Sequence, residues 1–165
     1  MKTFVTLMLN WAILLNCAAQ SQNDMNPSAS KSSQHTPMAV SLTFQKGDAE
    51  QAMNFYTGLF EDAEVLSVQR WPEASPGEEG QIMTAQFSIN GMLFICSDSP
   101  PVHDWDFSPA VSVHINCQSE EEIERLYKAF AEKGTPAMPL DNYGFSKKFA
   151  WVIDQFGLSW QLTLP

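Results

Sequence analysis

The chain has 165 residues, the length of one domain with appendages, and 9 Lys and Arg against 19 Asp and Glu give it a formal charge of −10. That acidity repels phosphate backbones and anionic lipid, which argues against nucleic-acid and membrane-surface binding. With 44% hydrophobic and 17% charged residues the chain has material for a real core, and its cysteines (Cys17, Cys96, Cys117) are too few for a disulfide scaffold and match no zinc spacing.

Residues 1–19 read MKTFVTLMLNWAILLNCAA. Lys2 precedes an apolar run from Phe4 to Leu15, broken by Thr6 and Asn10. The run is too short for a bilayer-spanning helix, which needs about 20 residues. It suits a secretory signal peptide, with small residues before a cut after Ala19. Leu14-Leu15-Asn16-Cys17 also reads as a lipobox, with Cys17 as a lipid anchor, although Asn16 is not the usual small residue. An N-terminal helix of a cytosolic protein would need a cap or a polar face, and neither is visible. Residues 20–38 are rich in Ser, Gln and Asn and hold two Pro, the composition of a disordered polar linker. The expected location is therefore exported, periplasmic or extracellular, with membrane anchoring through Cys17 as an option and no membrane insertion of the mature chain.

Residues 39–165 form the predicted domain. AVSLTFQ (39–45) alternates as a strand. Asp48-Ala49-Glu50-Gln51 follows as an N-cap signature, and Ala52, Phe55, Tyr56 and Leu59 then share one helical face. Adding 71 to each number repeats the pattern. AVSVHIN (110–116) is a strand, Ser119 and Glu122 form a capping box, and Ile123, Leu126, Tyr127 and Phe130 make the stripe, with Gly134 as a stop. Strands are expected at 63–71, 80–89 and 92–97 in the first half. In the second they are expected at 135–140, 147–154 and 158–164. Asn90-Gly91 is a strong hairpin signal, and Phe156-Gly157 occupies the matching turn. The predicted fold class is α+β, two tandem βαβββ units at 39–98 and 110–165. In an exported chain Cys96 and Cys117 are one candidate disulfide pair. The alternative is two buried structural thiols, since each stands in a strand without an adjacent basic residue.

This pattern resembles the vicinal oxygen chelate superfamily of glyoxalase I, bleomycin resistance protein and extradiol dioxygenases. Within it the chain is most similar to the PhnB-like branch, often labelled 3-demethylubiquinone-9 3-methyltransferase-like. The resemblance rests on Ala52-Met53-Asn54-Phe55-Tyr56 with Leu59-Phe60, on Pro109-Ala110-Val111-Ser112-Val113, and most specifically on Asp154-Gln155-Phe156-Gly157-Leu158-Ser159-Trp160-Gln161-Leu162. Where the family often has Cys-Gly-Trp, this chain has Phe149-Ala150-Trp151. The resemblance implies a curved mixed sheet cup with helices on its convex face. Alternation then puts Leu42, Phe44, Val113, Ile115, Trp160 and Leu162 under the helices. The polar neighbours Ser41, Thr43, Gln45, Ser112, His114, Asn116, Ser159, Gln161 and Thr163 are expected to line the cup.

Superfamily enzymes hold a divalent metal with residues from the first and last strands of each half. Carried over, those positions are Ser41, Ile95, Ser112 and Gln161. Ile95 has no lone pair, and neutral serines are poor ligands for Zn²⁺, Ni²⁺ or Fe²⁺. A shift by two gives Thr43 and His114, still one imidazole and no carboxylate. No metal and no cofactor are therefore expected. Methyl transfer is disfavoured as well, because the chain has no G-x-G-x-x-G turn.

The expected function is binding of a small organic molecule in a polar cup, through Thr43, Ser112, His114, Asn116 and Gln161, with Trp105 or Phe107 stacking. His114 is the candidate general base if the protein is an enzyme, against the plainer reading of a hydrogen-bonded histidine on a sheet face. The segment SDSPPVHDWDFSP (97–109), with His103 and Trp105, is either a lid or a linker whose aromatics tuck onto the sheet. The competing class is a metal-dependent or His-based lyase or isomerase. Superfamily precedent implies a homodimer with cups completed across the interface.

Overall fold

The computed structural model describes residues 38–165. The leader expected at 1–19, its Cys17 and the linker up to residue 37 lie outside the described residues. The elements run β1 (Val40–Phe44), α1 (Ala49–Thr57), β2 (Glu64–Arg70), β3 (Ile82–Ile89), β4 (Met92–Asp98), β5 (Val113–Asn116), α2 (Glu120–Ala131), β6 (Thr135–Asp141), β7 (Lys148–Ile153) and β8 (Ser159–Leu164). The duplicated βαβββ order read from the 71-residue offset is the order of the fold. No helix among the described residues is long and apolar enough to cross a membrane.

The strands form two separate four-stranded mixed sheets, ordered β1-β4-β3-β2 and β5-β8-β7-β6. In each, the first strand of the unit runs parallel to the last and the other pairings are antiparallel. The Asn90-Gly91 turn joins β3 to β4 with both residues at positive φ, 49° and 75°, the conformation a two-residue hairpin loop requires. Pro136 and Pro139 lie in β6, which tolerates residues without an N–H because it is an edge strand.

Both helices cover their own sheet, and the two apolar faces meet in one shared core. Tyr56 of α1 packs against Trp160 of β8 at 5.2 Å between ring centroids, and Phe55 of α1 meets Phe130 of α2 at 6.1 Å. Phe130 stacks on Trp160 at 4.5 Å. Burying each such side chain stabilises the fold by roughly 1.5–3 kcal/mol. Leu42, Phe44, Trp160 and Leu162 are buried as alternation assigned, while Val113 and Ile115 on the short edge strand β5 are half-buried. Cys96 and Cys117 are both buried and free, so the disulfide option is not taken.

The helix starts differ from expectation. Asp48 makes no side-chain cap to α1. The buried carboxylate of Asp98, at the end of β4, does that work from across the sheet. It accepts from the N–H of Ala49 at 3.0 Å and of Ile82 at 2.9 Å. The reason is local geometry: Asp48 has near-helical backbone angles (φ −95°, ψ −3°) instead of the extended ones of a capping residue. Ser119 does cap α2, accepting from the Glu122 N–H at 3.2 Å. Glu122 reaches back to the N–H of Gln118 at 2.7 Å, one residue beyond the usual box.

Candidate functional site

Because the helix-covered faces meet in one core, the opposite faces of both sheets look outward, and the second sheet's is the more polar along its central strand. On the second sheet, register places His114 opposite Gln161 and Asn116 opposite Thr163. Gln161 is in turn opposite Trp151 of β7, and Thr163 opposite Phe149. Ser112, just before β5, meets Ser159 hydroxyl to hydroxyl at 2.7 Å. Trp151 Nε1–H donates to Ser159 Oγ at 2.7 Å, and Gln161 Nε2–H donates to Ser112 Oγ at 3.4 Å. His114 and Asn116 are exposed and also border an open groove of about 210 Å³ between β5 and the β3–β4 turn.

Of the six expected ligand-binding residues, the structure therefore brings together Ser112, His114, Asn116 and Gln161. Thr43 stands on the first sheet, opposite Ser97. Trp105 also belongs to that sheet's surroundings. Gln45, next to β1, accepts from the His103 N–H at 3.1 Å and donates to the Trp105 carbonyl. The Trp105 ring is 51% exposed and stacks on His103 at 4.4 Å. Phe107 packs edge-on against Phe44 at 5.2 Å, as a linker with tucked aromatics would. The segment is clamped by Gln45 and by a Lys46–Asp106 ion pair at 3.5 Å.

The carried-over metal positions do not make a cation site. Ser41 and Ile95 are direct neighbours on the first sheet, so an aliphatic side chain fills the place beside the serine. Around the carried-over positions of the second sheet the donors are hydroxyls, the Gln161 amide and the His114 imidazole. No group of three or more His, Cys, Asp or Glu side chains that could hold a metal ion exists among the described residues. The donor set is wrong for a divalent transition metal on chemical grounds.

Two features escaped the sequence reading. Trp151 entered it only as part of a departure from the family pattern. β7 is apolar on both faces, with Ala150 and Val152 in the core, Trp151 half-buried on the other side and Phe149 buried there under Tyr143 and Phe145, so its alternation carries no sign. In the sequence Asp154 stands out only as the first residue of the family motif. Its buried carboxylate accepts from Tyr56 Oη at 2.8 Å, Trp160 Nε1 at 2.8 Å, and the N–H groups of Phe156 at 2.8 Å and Leu158 at 3.0 Å. Burial pushes this carboxyl up from its ordinary value, opposed by those four donors. Burial, with the Asp154 charge, pushes the Tyr56 phenol up as well. The site of Asp154 is structural: it orders the Phe156-Gly157 turn and ties α1 to β8.

The model of a family described as 3-demethylubiquinone-9 3-methyltransferase matches residues 36–163. A solved structure described as a putative 3-demethylubiquinone-9 3-methyltransferase, PhnB protein, from Bacillus cereus is 45% identical, covering 79% of this chain and 100% of that one, with a TM-score of 0.76. This chain belongs to the PhnB-like family. PhnB-like proteins are a branch of the vicinal oxygen chelate superfamily, and the fold agrees with that placement. A Pseudomonas aeruginosa protein at 24% identity covers 78% of this chain and 97% of its own, with a TM-score of 0.68. The fosfomycin resistance protein FosX of Listeria monocytogenes, solved with Mn(II) and a dihydroxypropylphosphonic acid, is 13% identical over 79% of this chain and 93% of its own, at a TM-score of 0.53. These last two share the fold. No curated protein matches the chain.

Proposed function

We propose that this PhnB-like protein is an exported, homodimeric binding module that holds a small organic molecule on the polar face of its second sheet without a metal. The observation that carries the proposal is the hydrogen-bonded set Ser112, Ser159, Gln161 and Trp151 beside His114, in ladder rows that hold no carboxylate, the nearest being Asp141 opposite Phe149 in the next row. Such rows offer directed hydrogen bonds to a guest, and a lone carboxylate one row away does not make the cluster of charged ligands that grips a cation. Methyl transfer finds no support in the sequence, which has no glycine-rich turn for a nucleotide-like donor.

Thermal-shift screening of purified protein tests the binding, since a ligand of the native state raises apparent stability. A panel that gives no stabilisation with any compound refutes it. Elemental analysis tests the metal-free part. Stoichiometric Ni, Zn, Mn or Fe that disappears in His114→Ala would turn the assignment to the lyase or isomerase class. Export is tested by the N-terminus of the mature protein from the native host. A start near Gln20 or a lipidated Cys17 is expected, and an intact Met1 in the cytoplasm is not.

A further inference from the structure

We propose that the guest of the second sheet is an uncharged planar aromatic molecule carrying an N–H or O–H donor, stacked on Trp151 and donating to the carbonyl oxygen of Gln161. This rests on the reading of that sheet as a binding face and adds the chemical class of its ligand. The first part of the argument is the direction of the hydrogen-bond chain. Trp151 Nε1–H can only donate, and it donates to Ser159 Oγ. At the other end the Pro109 carbonyl can only accept, and it accepts from Ser112 Oγ at 3.5 Å. With both ends fixed, Ser159 donates to Ser112. Ser112 then has its oxygen left for the amide nitrogen of Gln161. The Gln161 amide is therefore oriented: nitrogen toward Ser112, carbonyl oxygen free on the open face. The site presents an acceptor and asks its guest for a donor.

The second part is the surface beside that acceptor. Trp151 is opposite Gln161 in the ladder and half-buried, and its N–H is already engaged, so a guest meets its ring and not a free donor. Phe149 follows two residues away on the same side of the strand, buried beneath Tyr143 and Phe145. Phe145 packs on Phe149 edge-on at 5.1 Å and Tyr143 stacks on Phe145 at 6.2 Å, which extends the aromatic wall outward. The third part is charge. The ladder rows through Gln161 and Ser159 hold His114, Trp151, Met138, Ile153 and Thr135, with no Lys, Arg, Asp or Glu, and the next row, through Phe149, adds only the anionic Asp141. Nothing there neutralises an anion, and the chain as a whole carries −10.

The test uses four probes on the full mature chain, read by thermal shift and by tryptophan fluorescence titration. 2-Quinolone is planar, neutral and has an N–H donor. Quinoline lacks the donor, quinoline-2-carboxylate adds an anion, and ribitol is polar but not planar. The expected order is 2-quinolone first, quinoline at least about fivefold weaker, and no binding of the other two. Trp151→Leu should weaken 2-quinolone by about tenfold or more, in the range of aromatic stacking, while Trp151→Phe keeps most of the affinity. Gln161→Leu should bring 2-quinolone down to the quinoline level, a readout that does not depend on Trp151 variants folding. Ribitol binding without 2-quinolone binding overturns the aromatic class and leaves the small-molecule reading standing. Tighter binding of the carboxylate overturns the class too. Silence from all four probes counts against both.

Discussion

The two βαβββ units share one topology and solve the same problems with different residues. In the first unit α1 has nine residues and no cap of its own, and Asp98 from β4 supplies the missing acceptor. In the second unit α2 has twelve residues and is capped locally by Ser119. The outward faces diverge further. The first sheet sets Leu93 and Ile95 on its last strand with Ser88 and Gln86 beside them. The second sets Gln161 and Thr163 on its last strand with Trp151 and Phe149 beside them. Polar centre and apolar flank have changed places. Duplication preserved the backbone order and the buried stripes, because the shared core tolerates little else. The outward faces carry no such constraint, and there the units came to differ.

That comparison can be broken most strongly at the carboxylate where the units join. Asp154→Ala strands the Tyr56 hydroxyl and the Trp160 N–H in the core. Each such orphan costs about 1–3 kcal/mol, so a loss of about 3 kcal/mol or more is expected in urea denaturation. A loss below 1 kcal/mol would show that the link between the units contributes little. The capping contrast gives the next effect. Asp98→Ala should cost about 2 kcal/mol, because two buried N–H groups lose their acceptor. Ser119→Ala should cost about 1 kcal/mol, the usual worth of such a cap. Asp48→Ala should be close to neutral. Equal losses for Asp48 and Ser119 would erase the difference between the two helix starts.

The smallest effect concerns the two thiols, one per unit. Burial, with the charge of Asp98, pushes Cys96 from 9.0 up to about 12. Burial, with the charge of Glu122, pushes Cys117 from 9.0 up to about 12. Both thiols therefore stay protonated in the folded state at pH 8, and alkylation of native protein should be slow until denaturant is added. The folded state holds these protons more tightly than the unfolded one, so their contribution to stability is complete below about pH 9 and is lost as pH rises toward 12. Rapid labelling of either cysteine in the native protein at pH 8 would contradict the burial of that unit's thiol.

Element order, the helical stripes and the paired turns were legible in the sequence because each depends on local periodicity. Ala52 and Tyr56 in α1, and Ile123, Leu126 and Phe130 in α2, are buried where spacing placed them. Half of the candidate site was legible for the same reason, since β5 and β8 alternate polar with apolar. The rest depended on contacts that spacing does not encode. Trp151 sits in a strand apolar on both sides. The cap on α1 arrives from Asp98, nearly fifty residues along the chain. The separation of Thr43 and Trp105 from His114 and Gln161 depends on how the two sheets turn their backs to each other.

The Tyr56–Asp154–Trp160 link has one more consequence. The phenol belongs to the first unit, the carboxylate and the indole to the second. Neither repeat can be transplanted or expressed alone without leaving the carboxylate one donor short or the phenol without its acceptor. The ancestral halves have been welded, and the descendant should melt cooperatively, in a single transition.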